Sequence, residues 1–470
     1  MIRSLLVTAM LGVLCAKAPA AEDITVVPRI EGDWWTVAHN PDLGACTSDR
    51  QQPVDFAVWQ AADGVWQLWS CIRFTRLGGH TRLFYRWEGK NLTDHDWEPG
   101  GIAMEADPAL GEPPGGLQAP HVVRWNGLYH MAYGDWDHLC FASSEDGKTF
   151  TRRILANGQT GVFTEGPGQN TRDPVLLFTR NRWHLYYTAF PRGKGYVFCR
   201  TSPDLHDWSD SMIVAYGGRA GNHPFSCECP HVVETEPGLY HLFRTQMYGE
   251  GAQTSVYQSR NPYNFGIDDD HGFVCTLPVA APEIILHDGQ YYIAALLPSL
   301  QGIQIARLTF LAERAVPVFA FDSPEARAQW RVAEGELPNP FTASIRSNFY
   351  PPMQHFIGTA ELPGESVAHD ELVAVVESPE FIVEHSSYRL AVSGGIDEAR
   401  VYCALVDAET GALLWKTTGN GSNHFGNVRA DWQAFQGKRV RLRVVDQSTA
   451  AWGHINFGGL YAMLPIDKKP

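Results

Sequence analysis

The chain has 470 residues, 44% of them hydrophobic and 19% charged, which is the composition of a globular protein with room for two or three domains. Asp and Glu (52) outnumber Lys and Arg (37), giving a net charge of -15. Because nucleic-acid binding relies on clustered cations, this balance argues against a nucleic-acid partner and fits a neutral substrate better.

Residues 1–20 have the pattern of a signal peptide: Arg3 is the positive end, an apolar stretch follows, and either Ala18-Pro19-Ala20 or Ala16-Lys17-Ala18 is the cleavage site. We therefore predict an exported protein, secreted or periplasmic. No other stretch approaches the roughly 20 apolar residues that a membrane span needs. Removing the leader leaves eight cysteines, an even number compatible with disulfides of unknown pairing.

A repeated motif occupies the next part of the chain. Four copies each begin at a proline: Pro120, Pro174, Pro230 and Pro282. An aromatic residue follows the proline by nine positions in three copies and by ten in the Pro230 copy. A diverged fifth copy begins at Asp55, where no proline follows the acid and Trp66 comes 11 positions later. The sequence therefore contains five units.

Each unit predicts an inner pair of strands, since proline belongs at a strand entrance and a short turn then precedes an aromatic run. The prolines are 52 to 56 residues apart, which is long enough for a four-stranded blade. We predict an all-β fold: a five-bladed β-propeller over residues 21–315, followed by a C-terminal β-sandwich over residues 316–470. The alternative for the first region, a sandwich with coincidental hairpins, does not account for the regular spacing.

Acidic residues stand at the starts of these units. The first strand of each propeller blade lines the central channel, so Asp55, Asp173 and Glu228 should converge although they are distant in sequence. Glu283 follows its proline, and its direction is open. Carboxylates at close range raise at least one pKa, so one can serve as an acid while another is a nucleophile or base, as glycosidases require. Alone, an Asp before Pro would be a turn acceptor.

Other residues are candidates for contact with a sugar. A platform that stacks on a ring could come from five tryptophans, of which we select Trp59 and Trp125; the others are Trp34, Trp35 and Trp136. Burial in the core is the alternative for most of them. Arg172, next to a candidate acid, is a further candidate. Cys227 and Cys229 have no second close pair of Cys or His to complete a zinc pattern. We predict no metal and no cofactor.

Two motifs resemble those of glycoside hydrolase family 32, which holds invertases, inulinases and levanases: Arg172-Asp173-Pro174 and Glu228-Cys229-Pro230. This resemblance implies a five-bladed propeller and a retaining mechanism. It implies that Asp55 is the nucleophile, that Asp173 stabilises the transition state and that Glu228 is the acid/base. The family has Asn-Asp-Pro-Asn-Gly where this chain has Val-Asp-Phe-Ala-Val at 54–58, which alters groups that would shape the sugar subsite.

The C-terminal region resembles the β-sandwich modules appended to levanase-like bacterial enzymes. Its distinctive residues are Asp446, Trp452 and His454, for which we favour a structural role over sugar binding.

The resulting hypothesis is an exported glycosidase that acts on an oligo- or polysaccharide of the fructan-like or another furanoside-containing class. One alternative is a family 43-like inverting arabinofuranosidase or xylosidase, and another is a propeller that binds glycans without catalysis. A phosphorylase is less favoured because the sequence shows no obvious cluster of cations for phosphate. The sugar released, endo or exo action and the oligomeric state are left open.

Overall fold

The structure is a computed structural model that describes residues 24–338, 340–342 and 353–466, without the side chain of His424. The predicted signal peptide lies outside these residues and stays a prediction. The described chain is almost entirely β, and its α-helix α1 (Pro324–Ala328) begins at the cap residue Ser323. In this part of the protein no helix has the length and apolar character to cross a membrane.

Twenty strands build the first domain. They are β1 (Ile24–His39), β2 (Gln52–Gln60), β3 (Trp66–Arg73), β4 (Leu83–Gly89), β5 (Glu98–Met104), β6 (Gln118–Trp125), β7 (Leu128–Gly134), β8 (Leu139–Ser144), β9 (Thr151–Arg152), β10 (Arg172–Thr179), β11 (Arg182–Ala189), β12 (Tyr196–Ser202), β13 (Met212–Ala215), β14 (Glu228–Glu236), β15 (Leu239–Met247), β16 (Gln253–Ser259), β17 (Phe273–Leu277), β18 (Glu283–His287), β19 (Gln290–Leu296) and β20 (Gly302–Phe319).

These strands form five antiparallel sheets arranged as the blades of a propeller. Blades one to four are β2–β5, β6–β9, β10–β13 and β14–β17, each in sequence order. The fifth blade consists of β18, β19 and β20, with β1 as its outer strand. Because β1 comes from the start of the chain, this pairing ties both ends of the domain together. The first strands of the blades contact one another in a closed ring. The predicted five-bladed propeller is confirmed.

The second domain is a two-sheet sandwich. Its strands are β21 (Arg331–Gly335), β22 (Phe341–Thr342), β23 (Phe356–Gly358), β24 (Ala374–Glu377), β25 (Phe381–Ile382), β26 (Ser387–Gly394), β27 (Val401–Asp407), β28 (Leu413–Thr417), β29 (Ser422–Asp431), β30 (Arg439–Asp446) and β31 (Ile455–Pro465). Strands β21, β24, β25, β30, β27 and β28 form one sheet, and β22, β23, β31, β26 and β29 form the other. The side chains of Leu390, Trp432 and Leu442 fill the space between them. The predicted C-terminal β-sandwich is thereby confirmed.

One long strand joins the two domains. The first part of β20 pairs with β1 in the fifth blade, and the part from Glu313 to Phe319 pairs with β31 of the sandwich. The predicted boundary between residues 315 and 316 falls within this strand. The buried Glu313 carboxylate accepts from Arg29 of β1 at 3.1 Å and also pairs with Arg429 of the sandwich. A single buried acid thus connects both domains.

The eight cysteines after the predicted leader are all free in the structure, and six of them are buried. The expectation of disulfides is therefore not met in the described chain. The six buried cysteines lie in different strands and connections, where they serve as small core residues.

Two of the three distinctive residues of the sandwich, Trp452 and His454, are held by one aspartate. The Asp370 carboxylate accepts from the Trp452 backbone N–H at 2.8 Å and lies 2.6 Å from His454 Nδ1. Asp446, the last residue of β30, is fully buried. Burial raises the pKa of its carboxyl to about 7. These contacts tie separate loops of the module together.

Candidate functional site

The starts of the five inner strands share an unusual backbone conformation. One residue in each unit has a positive φ: Asp55 (37°), Ala119 (40°), Asp173 (55°), Cys229 (44°) and Ala281 (49°). We call these the turn positions. Four of them stand directly before the proline of the repeat, where steric clashes normally favour an extended conformation.

The left-handed conformation costs a non-glycine residue about 1–2 kcal/mol. It also interrupts the strand ladder, because the pairing register shifts at this point in β2, β6, β10 and β14. Alanine occupies the turn position in two blades, so the conformation belongs to the architecture of the repeat. Its effect is to re-aim one side chain from each blade at the top of the channel.

At the turn positions and the residues before them, the predicted acids come together. Arg172 Nη2 donates to Glu228 Oε1 at 2.7 Å, and Arg172 Nε lies 3.6 Å from Asp173 Oδ2. The Cys229 backbone N–H donates to Asp173 Oδ2 at 2.9 Å, and the Cys229 thiol donates to Asp55 Oδ1 at 3.1 Å. The sequence-predicted residues Asp55, Asp173, Glu228 and Arg172 therefore form one hydrogen-bonded cluster, with Cys229 at its centre.

The three acids differ in their surroundings. The Asp173 side chain is 3% exposed, against 11% for Asp55 and 18% for Glu228. Burial, reinforced by the Asp55 and Glu228 carboxylates and opposed by Arg172, raises the pKa of Asp173 to about 7. Its second carboxylate oxygen, Oδ1, is buried without a hydrogen-bond partner among the described residues.

The sequence predicted that at least one acid of the cluster would have a raised pKa, and in the structure this acid is Asp173. The family resemblance, by contrast, assigns the acid/base role to Glu228. Asp173 is enclosed, while Glu228 faces the open cavity above the cluster. Burial raises the pKa of the Cys229 thiol well above its usual range, so the thiol stays protonated and remains a donor to Asp55.

A cavity of about 490 Å³ opens above the acids. Its lining residues are Asp55, Arg73, Arg82, Gln118, Trp136, Asn170, Arg172, Phe190, Phe225, Glu228 and Tyr248. Trp136 stacks on His80 with ring centroids 3.8 Å apart, and its other contact is the Arg82 guanidinium, 5.1 Å from the ring centroid. The cavity thus combines carboxylates at one end with fixed aromatic walls, an arrangement typical of small-molecule sites.

Sequence reasoning did not find most of the cavity wall. Arg73 ends β3, Trp136 follows β7, Phe190 follows β11 and Tyr248 follows β15. These residues share one place in the blade, the end of the second strand, which in a hairpin returns to the level of the first strand's start. Because the repeat marks the second strand of each unit, comparing the ends of these strands would have identified the wall residues from the sequence.

Trp59 and Trp125, which the sequence predicted as contact residues, do not line this cavity. Trp59 lies four residues beyond Asp55 on β2, about 13 Å further along the channel at the rise of a strand. Its Nε1 donates to the Gly147 carbonyl at 2.8 Å. Trp125 ends β6 and packs edge-on against Trp183 with ring centroids 5.8 Å apart. Both tryptophans belong to the packing of the blades.

Glu283 is also separate from the three acids. It lies in the channel below them, where its carboxylate oxygens are 3.6 Å from His121 Nδ1 and 3.5 Å from His231 Nδ1. All three donor atoms are within 4.8 Å of one another, and two imidazoles with a carboxylate form a ligand set that zinc accepts. These residues could hold a divalent cation. All three residues directly follow a repeat proline, which is the sequence signal that relates them; the prediction of no metal stays a prediction.

No protein-family model matches this chain. A probable sucrose-6-phosphate hydrolase from Vibrio cholerae is 28% identical over 102 residues, which are 20% of this chain and 18% of that protein. The match thus spans less than a fifth of the relative's length.

Among solved structures, the chain is similar to a family GH43_1 enzyme from Xanthomonas citri complexed with xylose (TM-score 0.41, 14% identity, 59% of this chain and 90% of that chain). It is also similar to an exo-β-1,3-galactanase from Phanerochaete chrysosporium (TM-score 0.38, 9% identity, 93% of this chain and 100% of that chain). These low TM-scores carry no conclusion about activity.

Proposed function

We propose that this protein is a glycoside hydrolase whose active site is the cavity above Asp55, Asp173 and Glu228. The observation that carries the proposal is the convergence of three carboxylates from three different blades at the end of one open cavity with aromatic walls. Burying like charges together is costly, so a cluster of this kind is typical of catalytic acid/base pairs.

The proposed reaction retains the anomeric configuration. Glu228, the most exposed of the three acids, protonates the departing glycosidic oxygen while the Asp55 carboxylate attacks the anomeric carbon and forms a glycosyl-enzyme. Glu228 then takes a proton from water, which attacks the same carbon and releases the sugar and the Asp55 carboxylate. The Cys229 thiol holds Asp55 Oδ1 in place throughout, which keeps the nucleophile oriented.

Asp173 and Arg172 have supporting roles in this proposal. The ionised Asp173 carboxylate balances the positive charge that develops on the sugar ring, and its unpartnered Oδ1 can accept from a ring hydroxyl. Arg172 fixes the relative positions of Asp173 and Glu228 because it contacts both. The aromatic side chains of the wall offer apolar surface to the sugar's C–H face.

The proposed substrate is a fructan-like or related furanoside-containing glycan. Support comes from the Arg-Asp-Pro and Glu-Cys-Pro motifs, both of which lie in the carboxylate cluster, and from the partial likeness to the hydrolase from Vibrio cholerae.

The proposal is tested by sugar release from sucrose, inulin, levan, arabinan and xylan fragments. Wild type is compared with Asp55→Asn and Glu228→Gln, and Asp288→Asn serves as a control because its side chain is 89% exposed in a hairpin turn. We expect release that both site substitutions reduce by at least about a hundredfold and the control leaves unchanged. Absence of release from all of these substrates and from an anionic counterpart, sucrose 6-phosphate, would contradict the proposal.

The anomeric configuration of the first product, read by NMR, tests the retaining mechanism. We expect retention. An inverted product would remove the nucleophile role from Asp55 and assign it the activation of water instead, as in the family 43-like alternative.

A further inference from the structure

Two arginines line the proposed sugar cavity in addition to Arg172. Arg73 is the last residue of β3, and the register of β3 with β4 pairs Ile72 with Leu83. Arg73 and Arg82 are the next residues on the two sides of this hairpin, one beyond the last pair of the ladder on each side. Both side chains line the cavity above the acids. Like charges placed close together are destabilising unless something compensates them.

Little in the protein compensates this pair. Arg73 donates from Nε at 3.0 Å and from Nη2 at 2.8 Å to a neutral acceptor, Gln52 Oε1. Among the described residues no carboxylate lies within 4 Å of its guanidinium. Arg82 Nη1 forms a long ion pair with Asp55 Oδ2 at 3.9 Å and donates to Cys71 Sγ at 4.0 Å, and its guanidinium also lies over the Trp136 ring. By contrast, Arg172 is paired with Glu228 at 2.7 Å.

The cavity wall accordingly differs in charge from the molecule as a whole. Three guanidinium groups and two carboxylates line it, whereas the chain carries a net charge of -15. The sequence showed no cluster of cations because Arg73 and Arg82 are separated by a loop, and the β3–β4 hairpin brings them together. Planar guanidinium forks match the geometry of phosphate, sulfate and carboxylate oxygens.

We infer that the substrate sugar carries an anionic oxygen group, a phosphate or sulfate ester or a carboxylate, that binds between Arg73 and Arg82. This inference rests on the proposed function and narrows its substrate class. It replaces the neutral substrate that the total charge favours. Arg73 is a specificity residue in this account, since it lies beside the reacting acids without contacting them.

The test measures binding by titration calorimetry with the full-length protein. The probes are fructose, fructose 6-phosphate, fructose 6-sulfate, glucuronate and inorganic phosphate, the last of which requires no particular sugar. We expect at least one of the anions to bind about ten- to a hundredfold more tightly than fructose, as charge-assisted hydrogen bonds would give. The advantage should shrink as ionic strength rises. The probe with the largest advantage identifies the anionic group.

The variants are Arg73→Gln and a matched control, Arg76→Gln, which removes the same charge from an exposed position outside the cavity. We expect Arg73→Gln to abolish the advantage and Arg76→Gln to keep it. Equal binding of fructose and every anion, or an advantage that survives in Arg73→Gln, would overturn the inference. Glycoside hydrolysis without preference for a charged substrate would refute only the inference, and anion binding without any hydrolysis would refute only the proposed function.

Discussion

Replacing Asp173 by Asn should stabilise the protein at neutral and alkaline pH while removing its activity. The carboxyl has an ordinary pKa of 3.8, and burial beside two other acids raises it to about 7. The folded state therefore holds this proton more tightly than the unfolded state. Between those two values, stability of the wild type falls as pH rises, because the unfolded chain ionises freely and the folded one does not.

The size of the effect follows from the shift. Each pKa unit corresponds to about 1.36 kcal/mol, so a shift of about three units sets an upper limit near 4 kcal/mol above pH 7. Asparagine has no proton to lose, and its side-chain oxygen can still accept from the Cys229 N–H that now binds Asp173 Oδ2 at 2.9 Å. At about pH 4 the folded wild type carries a neutral Asp173, and the two proteins should have similar stabilities.

The assay is urea unfolding of both proteins at about pH 4, 6 and 8, followed by tryptophan fluorescence. Taking the difference between variant and wild type cancels the titration of the groups that do not interact with Asp173. We expect the stability advantage of Asp173→Asn to grow with pH and to level off above about pH 7. A difference in stability between variant and wild type that stays constant with pH would refute the assignment of a raised pKa to Asp173. A difference that becomes less favourable to the variant between about pH 4 and about pH 8 would refute it as well.

Four further outcomes are expected. The kcat/KM of wild type should rise with pH through about 7, because Asp173 acts as an anion, and a profile without this rise would contradict its role. Arg172→Lys should lower kcat at least tenfold in steady-state assays, since one ammonium cannot replace the guanidinium fork. Trp136→Ala should raise KM about tenfold and leave kcat unchanged, whereas Trp59→Phe should change neither. Glu313→Gln should lower the free energy of unfolding by about 3 kcal/mol in urea titrations, because the partly buried Arg429 and the more exposed Arg29 lose their charged partner.

The sequence predicted the fold because its repeat combines several independent signals. The prolines are 52 to 56 residues apart, and each is followed by a hairpin with an aromatic residue. Few structures other than a propeller blade have this pattern. The pairing of β1 with β20 could not be predicted in the same way. This contact joins residues about 280 positions apart, and neither strand carries the repeat motif.

The cluster of acids was predictable for the same reason, since equivalent positions of a repeat meet at the centre of a propeller. Which tryptophans line the cavity could not be predicted in this way, because the position of a tryptophan along its strand matters as much as its chemistry. Trp59 and Trp125 are at the far ends of inner strands, while Trp136 follows a second strand and reaches the cavity. An alignment of the ends of the second strands would have distinguished Trp136, which lines the cavity, from Trp59 and Trp125, which do not.

An offset of two residues decides which side chains act together in this channel. Asp55, Asp173 and Cys229 occupy the turn position, so they meet at the top, whereas His121, His231 and Glu283 each follow a repeat proline and meet below. Successive side chains of a strand point in opposite directions, and the positive φ at the turn position adds one further change of direction. The five strands therefore present two separate polar layers built from positions that lie on either side of the repeat proline. An acid moved by two residues, as Glu283 is relative to Ala281, leaves the upper layer and joins the histidines.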